Sequence, residues 1–73
     1  MRRVFSGARS RQLRVNAGLR TEAVAMHIGR SWYSVTEYEK GRVTPSTPTL
    51  VAMADLYGCT IDAFFEEAAD VAA

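Results

Sequence analysis

Apolar residues recur at helical spacing in short segments along this chain of 73 residues, and capping residues or glycines separate the segments. The pattern predicts five helices. They are one capped by Ser6 or Ser10 that runs to about Ala17, one over 21–28 capped by Thr21, one over 31–40, one capped by Thr47 and one capped by Thr60. No segment alternates with the two-residue period of a strand. The sequence therefore predicts a compact all-α domain of five helices over residues 8–69.

The two faces of the predicted third helix differ in chemistry. Val35 and Tyr38 lie three residues apart and can share a buried stripe. The opposite side carries Trp32, Tyr33, Thr36, Glu37 and Lys40. Ser31 is a good N-cap and Gly41 is a good residue to follow the last turn, so both ends of the helix are defined. A helix that turns two aromatic rings outward beside charged groups is typical of a surface that binds a partner.

The link between the second and third helices is only three residues long. It consists of Gly29, Arg30 and Ser31. A link of this length that contains glycine makes two short helices cross steeply, which is the geometry of a helix-turn-helix. The sequence therefore predicts this motif over residues 21–40.

Basic and acidic residues are unevenly distributed, although the net charge of the whole chain is only +1. All nine Lys and Arg residues lie within residues 1–42 against three acidic residues, a net of +6. Residues 43–73 hold five acidic residues and no base, a net of −5. A basic half of this kind is typical of proteins that bind a polyanion, and a surface that is merely solvated is the alternative interpretation.

The two ends of the chain are predicted to lie outside the folded domain. Residues 1–7 hold Arg2 and Arg3 without a periodic pattern and are predicted to be a flexible basic arm, which either reaches a minor groove or stays disordered. Residues 70–73 are predicted to be a C-terminal tail. No apolar segment typical of a signal peptide follows Met1, and no apolar run is long enough to span a bilayer. We therefore expect a cytoplasmic protein without a membrane partner.

Residues with metal-binding or catalytic chemistry are sparse. Cys59 is the only cysteine, which excludes an intramolecular disulfide and a thiolate metal cluster and favours a buried position. His27 is the only histidine, so neither a metal site nor a pair of nucleophile and base is expected. From these residues we expect no cofactor, no metal, no small-molecule ligand and no enzymatic activity.

An ordered set of residues between positions 8 and 66 resembles a known family. The set is Gly18-Leu19, Glu22, Val24-Ala25, Ile28-Gly29, Ser31, Val35, Tyr38-Glu39, Gly41-Arg42, Pro45-Ser46, Leu50, Ala54, Leu56, Gly58 and Phe64. These residues fall at the spacings of the Cro / lambda-repressor-like helix-turn-helix family. Any fragment of the set is a weak signal, whereas the ordered whole covers nearly the entire chain.

The resemblance implies sequence-specific binding of duplex DNA, with the helix over 31–40 in the major groove and the helix over 21–28 across the backbone. The implied base contacts are Trp32, Tyr33 and Glu37, with Ser34 and Thr36 as further candidates. Glu37 can accept a hydrogen bond from cytosine N4, and the aromatic rings can touch a thymine methyl group. The implied phosphate contacts are Thr21, Ser31, Lys40, Arg42, Arg20 and Arg30. For Arg20 and Arg30 a solvated position is an equal alternative.

The resemblance also implies a structural ion pair and a mode of action. Arg14 of the first helix would pair with Glu39 at the end of the third. The implied function is a small Cro-type repressor, associated with the nucleoid, that binds an inverted-repeat operator as a homodimer. Phe64, Phe65 and Val71 are candidates for the dimer surface, with both phenylalanines in the core as the alternative. The alternative function is an antitoxin-like or accessory module whose main partner is another protein.

Overall fold

Helices make up most of the fold, and a small sheet joins the two ends of the described chain. The computed structural model describes residues 2–68. In chain order its elements are β1 (Arg2–Phe5), α1 (Gly7–Asn16), α2 (Thr21–Ile28), α3 (Trp32–Glu39), α4 (Thr47–Tyr57), a 3₁₀ helix (Ile61–Phe64) and β2 (Phe65–Ala68). The mainly helical character is confirmed, whereas the expectation of five helices without strands is wrong. The predicted tail, residues 70–73, lies outside the described residues.

Serine side chains cap three of the four α-helices. The hydroxyl of Ser6 accepts a backbone N–H from the first turn of α1, and Ser31 does the same for α3. Ser46, rather than the expected Thr47, caps α4. The reason is local backbone geometry, because Ser46 has the extended conformation that a cap requires, with ψ of 161°. Short polar residues beside the helix starts therefore fix where the helices begin.

Two groups of buried side chains hold the helices together. One group fastens α2 to α3 and contains Val24, Ala25 and Val35. The other joins α3 to α4 and the 3₁₀ helix and contains Tyr38, Leu50, Met53, Ala54 and Phe64. Ile28 and Tyr57, both partly buried, pack against both groups. Helix α3 is thus packed against the scaffold on its Val35 and Tyr38 face, as its apolar spacing predicted.

A 3₁₀ helix and strand β2 replace the last predicted helix. β2 pairs antiparallel with β1, so that Phe65 lies opposite Phe5. The ring of Phe5 lies 6.4 Å from that of Phe64 and 6.2 Å from that of Phe65, measured between centroids. The backbone N–H of Ser6 donates to the carbonyl of Phe64 at 2.8 Å. Pairing with a strand distant in sequence therefore outweighs the helix propensity of residues 66–68.

The N-terminal segment is part of the fold. Residues 2–5, which we expected to belong to a flexible basic arm, form β1 instead. The guanidinium of Arg3 donates to the backbone carbonyl of Asp62 at 3.0 Å. A two-stranded sheet is only marginally stable alone, and here Phe5 and Phe65 pack it against the helical core. The guanidinium of Arg3 is therefore hydrogen-bonded to the scaffold, although the residue is solvent-exposed.

Neither a membrane span nor a metal centre is found between residues 2 and 68. None of the helices in that range is long and apolar enough to cross a bilayer. No three His, Cys, Asp or Glu side chains in the same range lie where they could hold a metal ion.

Candidate nucleic-acid interface

A tight turn sets α3 against α2. Gly29 adopts a left-handed conformation with φ of 70°, which a residue without a Cβ atom reaches at little steric cost. The backbone N–H of Arg30 then donates to the carbonyl of Ala25 at 2.9 Å and closes the end of α2. Ser31 caps the next helix immediately afterwards. The predicted helix-turn-helix geometry is confirmed.

Hydroxyl groups on α3 are bonded within the helix. The Oγ of Ser31 accepts the backbone N–H of Ser34 at 3.1 Å and lies 3.2 Å from the Oγ of Ser34. The Oγ1 of Thr36 donates to the backbone carbonyl of Trp32 at 2.9 Å. Ser34 and Thr36 are both only partly exposed. These candidate base-contacting hydroxyls therefore already have partners.

Two aromatic side chains extend from the first turn of α3. Trp32 is 58% exposed and Tyr33 is 59% exposed. Their ring centroids are 6.1 Å apart with an angle of 82° between the planes, which is the preferred edge-to-face arrangement of an aromatic pair. The expected outward position of both residues is confirmed. The pair forms one continuous aromatic surface at the start of α3.

Glu37 is not on the exposed face where the helical spacing had put it. The residue is only 9% exposed. The backbone N–H of Arg42 donates to the carbonyl of Glu37 at 3.1 Å, and the loop after α3 folds back beside it. Its Oε2 lies 3.5 Å from Nη1 of Arg42 and 4.0 Å from Nζ of Lys40. Glu37 thus faces two of the predicted phosphate-binding cations.

A small pocket of about 120 Å³ opens beside Glu37. It is lined by Tyr33, Ser34, Glu37, Tyr38 and Val43. Val43 is 49% exposed and extends the apolar surface of Tyr33 away from the start of α3. Sequence patterns do not indicate Val43, because the residue lies in a loop without periodicity. Its proximity to α3 follows from the loop's hydrogen bond to the helix end.

The end of α3 is held by an ion pair with α1. The Nε and Nη2 atoms of Arg14 donate to the two carboxylate oxygens of Glu39 at 2.7 and 3.1 Å. The side chains are only 12% and 8% exposed. Arg14 also donates from Nη1 to the carbonyl of Leu19 at 2.8 Å, a bond that the sequence pattern does not predict. The hydrogen bond that Arg14 donates to Glu39 raises the pKa of the Arg14 guanidinium, so this side chain stays charged.

The model of one protein family, described as a helix-turn-helix domain, matches residues 7–64 of this chain. This chain belongs to the helix-turn-helix domain family. It is of the Cro / lambda-repressor-like kind that the ordered residue set indicated. No curated protein sequence matches the chain.

Solved structures of helix-turn-helix proteins share this fold. The DNA-binding domain of the phage P22 c2 repressor matches with a TM-score of 0.75 at 24% identity, over 85% of this chain and 82% of that one. The P22 c2 repressor in complex with a synthetic operator matches with a TM-score of 0.74 at 24% identity, over 81% and 89%. The restriction-modification controller protein C.AhdI of Aeromonas hydrophila matches with a TM-score of 0.74 at 27% identity, over 81% and 89%.

Two exposed arginines flank α2 of the helix-turn-helix. Arg20 occupies the cap position of α2, one residue before the expected Thr21, and its side chain makes no capping hydrogen bond. Thr21 instead donates from its hydroxyl to Glu22 at 2.9 Å. Arg20 and Arg30 are exposed, and neither forms an ion pair with any residue from 2 to 68. Both guanidinium groups can therefore meet an anion without breaking a contact of the described fold.

Of the residues expected at a dimer surface, one lies in the core. Phe64 is fully buried, so its assignment to a dimer surface is wrong. The reason is its central position in the core, where its ring packs 5.9 Å from that of Tyr57 between centroids. Phe65 is half-buried against Phe5, and Val71 lies outside the described residues. The alternative position in the core is therefore correct for Phe64.

Proposed function

We propose that this helix-turn-helix protein binds duplex DNA in a sequence-specific manner and regulates transcription. The observation that carries the proposal is the start of α3, where Trp32 and Tyr33 extend from the helix-turn-helix, together with the exposed Arg20 and Arg30 at the two ends of α2. Aromatic side chains can contact base edges in the major groove, and guanidinium groups can bind the phosphates that border it. The P22 c2 repressor solved with an operator supports the proposal through its shared fold.

In the proposed complex α3 enters the major groove and α2 lies across the backbone. Trp32 and Tyr33 contact bases, with Ser34 and Thr36 beside them. Glu37 is a weaker candidate because it is buried and already faces two cations.

Phosphate contacts in this arrangement come from both ends of the helix-turn-helix. The proposed set is Thr21, Ser31, Lys40, Arg42, Arg20 and Arg30. Because the start of α2 has no side-chain cap, its first N–H groups can point at a phosphate as well. Lys40 and Arg42 reach the DNA backbone on the other side of α3. Contacts of this kind fix the orientation of the protein without reading sequence.

We further propose that the protein is a Cro-type repressor that acts as a homodimer in the cytoplasm, bound to the nucleoid. One recognition helix reads too few base pairs for high specificity. Two copies on an inverted repeat, with half-sites about 34 Å apart, read enough base pairs to distinguish the operator from other DNA. Occupation of the operator then excludes polymerase.

Selection of bound duplexes from a random DNA pool at near-physiological salt tests the proposal. Non-specific phosphate contacts weaken steeply with salt, whereas base contacts persist. Enrichment of an inverted repeat is the expected result, and sedimentation of the complex should give two chains per duplex. Enrichment of a single half-site would contradict the homodimer alone. The absence of any enriched motif would contradict sequence-specific DNA binding. It would favour the alternative function, an antitoxin-like or accessory module whose main partner is another protein.

A further inference from the structure

Polar side chains that could read base edges are scarce on the free surface of α3. Recognition through hydrogen bonds in the major groove needs donors and acceptors that are available to the base pair. The hydroxyls of Ser34 and Thr36 are bonded within the helix. The carboxylate of Glu37 is buried beside Lys40 and Arg42. The exposed hydrogen-bonding groups without a partner in α3 are then chiefly the Nε1–H of Trp32 and the phenol O–H of Tyr33, each on the edge of an otherwise apolar ring.

Apolar surface is abundant in the same place. Trp32, Tyr33 and Val43 are 58%, 59% and 49% exposed. Trp32 and Tyr33 pack edge to face, and Tyr33 and Val43 line one pocket, so the three side chains form a continuous apolar strip. The only base-edge group in the major groove that such a surface can distinguish is the C5-methyl group of thymine.

We propose that this protein selects its operator chiefly by thymine methyl groups, which the apolar strip of Trp32, Tyr33 and Val43 contacts. The inference rests on the proposed DNA binding and specifies which feature of the DNA is read. Arg20 and Arg30 supply the charge that holds the strip against the groove, because they lie exposed at the two ends of α2. A protein partner of apolar character is the competing occupant of the same strip, and the experiment below separates the two.

Replacement of thymine by deoxyuridine tests the inference directly, since the exchange removes one methyl group and keeps every hydrogen-bonding atom. The operator is the motif enriched in the selection experiment, and each of its thymines is replaced in turn. We expect the dissociation constant to rise about fourfold for each methyl group that the strip contacts, which is the value of one buried CH₂ group. A thymine outside the motif is the matched control and should show no change.

Variants of the strip connect this effect to named side chains. Tyr33→Ala and Val43→Ala should each remove the difference between thymine and deoxyuridine at one motif position while the remaining positions keep it. Tyr33→Phe retains the ring and should preserve the difference, which separates ring contact from hydrogen bonding by the phenol group. Circular dichroism of each variant shows that the helices are intact.

The possible failures are distinguishable. A motif that is enriched but binds equally well with deoxyuridine at every position would overturn the methyl inference and leave DNA reading in place. A deoxyuridine effect that survives all three alanine substitutions, including Trp32→Ala, would overturn the assignment to the strip. A selection without any motif would contradict the proposed function itself, and the strip would then be assigned to a protein partner.

Discussion

The two ends of α3 differ in solvent exposure and in their contacts with the rest of the fold, although the helix has only eight residues. Its start is solvent-exposed and carries Trp32 and Tyr33 on a serine cap. Its end is enclosed, because Glu39 binds Arg14 and the backbone of Gly7 packs closely against it. The contacts that position α3 therefore lie at its end, and the side chains proposed to contact DNA lie at its start. Substitutions at the end should therefore disturb the fold, and substitutions at the start should disturb binding.

The largest effect is expected for Glu39→Ala at the enclosed end. The substitution leaves the Arg14 guanidinium, only 12% exposed, without its bidentate partner. Loss of one partner from a buried pair costs about 3–5 kcal/mol of unfolding free energy. Urea unfolding followed by circular dichroism measures the loss. Glu66→Ala is the matched control, because its ion pair with Arg9 is half-exposed and 3.7 Å long, and such pairs contribute less than about 1 kcal/mol. Equal stability of the two variants would contradict the comparison.

Gly7→Ala tests the same end through packing rather than charge. A Cβ atom at this position would lie 2.5 Å from the carbonyl oxygen of Glu39, 2.6 Å from that of Tyr38 and 2.7 Å from the backbone nitrogen of Gly41. These atoms belong to the backbone and cannot rotate away, so we expect a loss of about 1–3 kcal/mol. Thermal unfolding gives the value. Ala8→Ser, an exposed change in the same turn, should stay within about 0.5 kcal/mol of the unmodified protein.

Trp32→Ala tests the exposed start of α3 and should behave in the opposite way. Its ring is 58% exposed, so the unfolding free energy should change by less than about 0.5 kcal/mol. Affinity for the selected operator should fall roughly thirtyfold, which corresponds to about 2 kcal/mol for a central aromatic contact. Titration by fluorescence anisotropy measures this change. Val51→Ala removes a side chain of α4 that is 43% exposed and should leave affinity unchanged. A loss of stability that matched the loss of affinity would show that Trp32 supports the fold instead.

Ser31 combines a structural and a binding role at the start of the helix. Ser31→Ala removes the hydrogen bond to the backbone N–H of Ser34 and should cost about 1 kcal/mol of stability. Ser31→Asp keeps an acceptor at the cap and should restore that stability, yet its negative charge opposes a phosphate and should weaken operator binding. Unfolding and binding measured on both variants separate the two roles. If the aspartate variant binds as tightly as the unmodified protein, Ser31 makes no phosphate contact.

The sequence predicted the parts of the fold that depend on neighbours along the chain. The end of α2 follows from Gly29, and the start of α3 follows from Ser31. The start of β2 shows the limit of this reasoning. Residues 65–68 have a local pattern that favours helix, but Phe65 pairs with Phe5 across 60 positions, and only the folded chain brings them together. Phe64 is buried for the same reason.

The candidate site shows the same division. The exposure of Trp32 and Tyr33 followed from helical periodicity, because no other described element covers the start of α3. The burial of Glu37 did not, because it results from a loop that folds back onto the helix through the backbone of Arg42. Periodicity assigns a face to a residue, and only tertiary contacts determine whether that face is covered.

Glu37→Gln should have the smallest effect on operator affinity. It tests whether Glu37 restrains Lys40 and Arg42 or contacts a base. The carboxylate lies 3.5 Å from Arg42 and 4.0 Å from Lys40, so in the free protein it partly neutralises both cations. The amide removes that charge at nearly constant volume. If Glu37 only restrains the cations, operator affinity should rise about threefold, in line with a weak ion pair of up to about 1 kcal/mol. The slope of affinity against salt should steepen by about 1 for each further phosphate that these cations neutralise, and the enriched motif should stay the same. A motif that changes at one cytosine would instead show that Glu37 turns toward the DNA and reads that base, and recognition would then extend along α3 to its enclosed end.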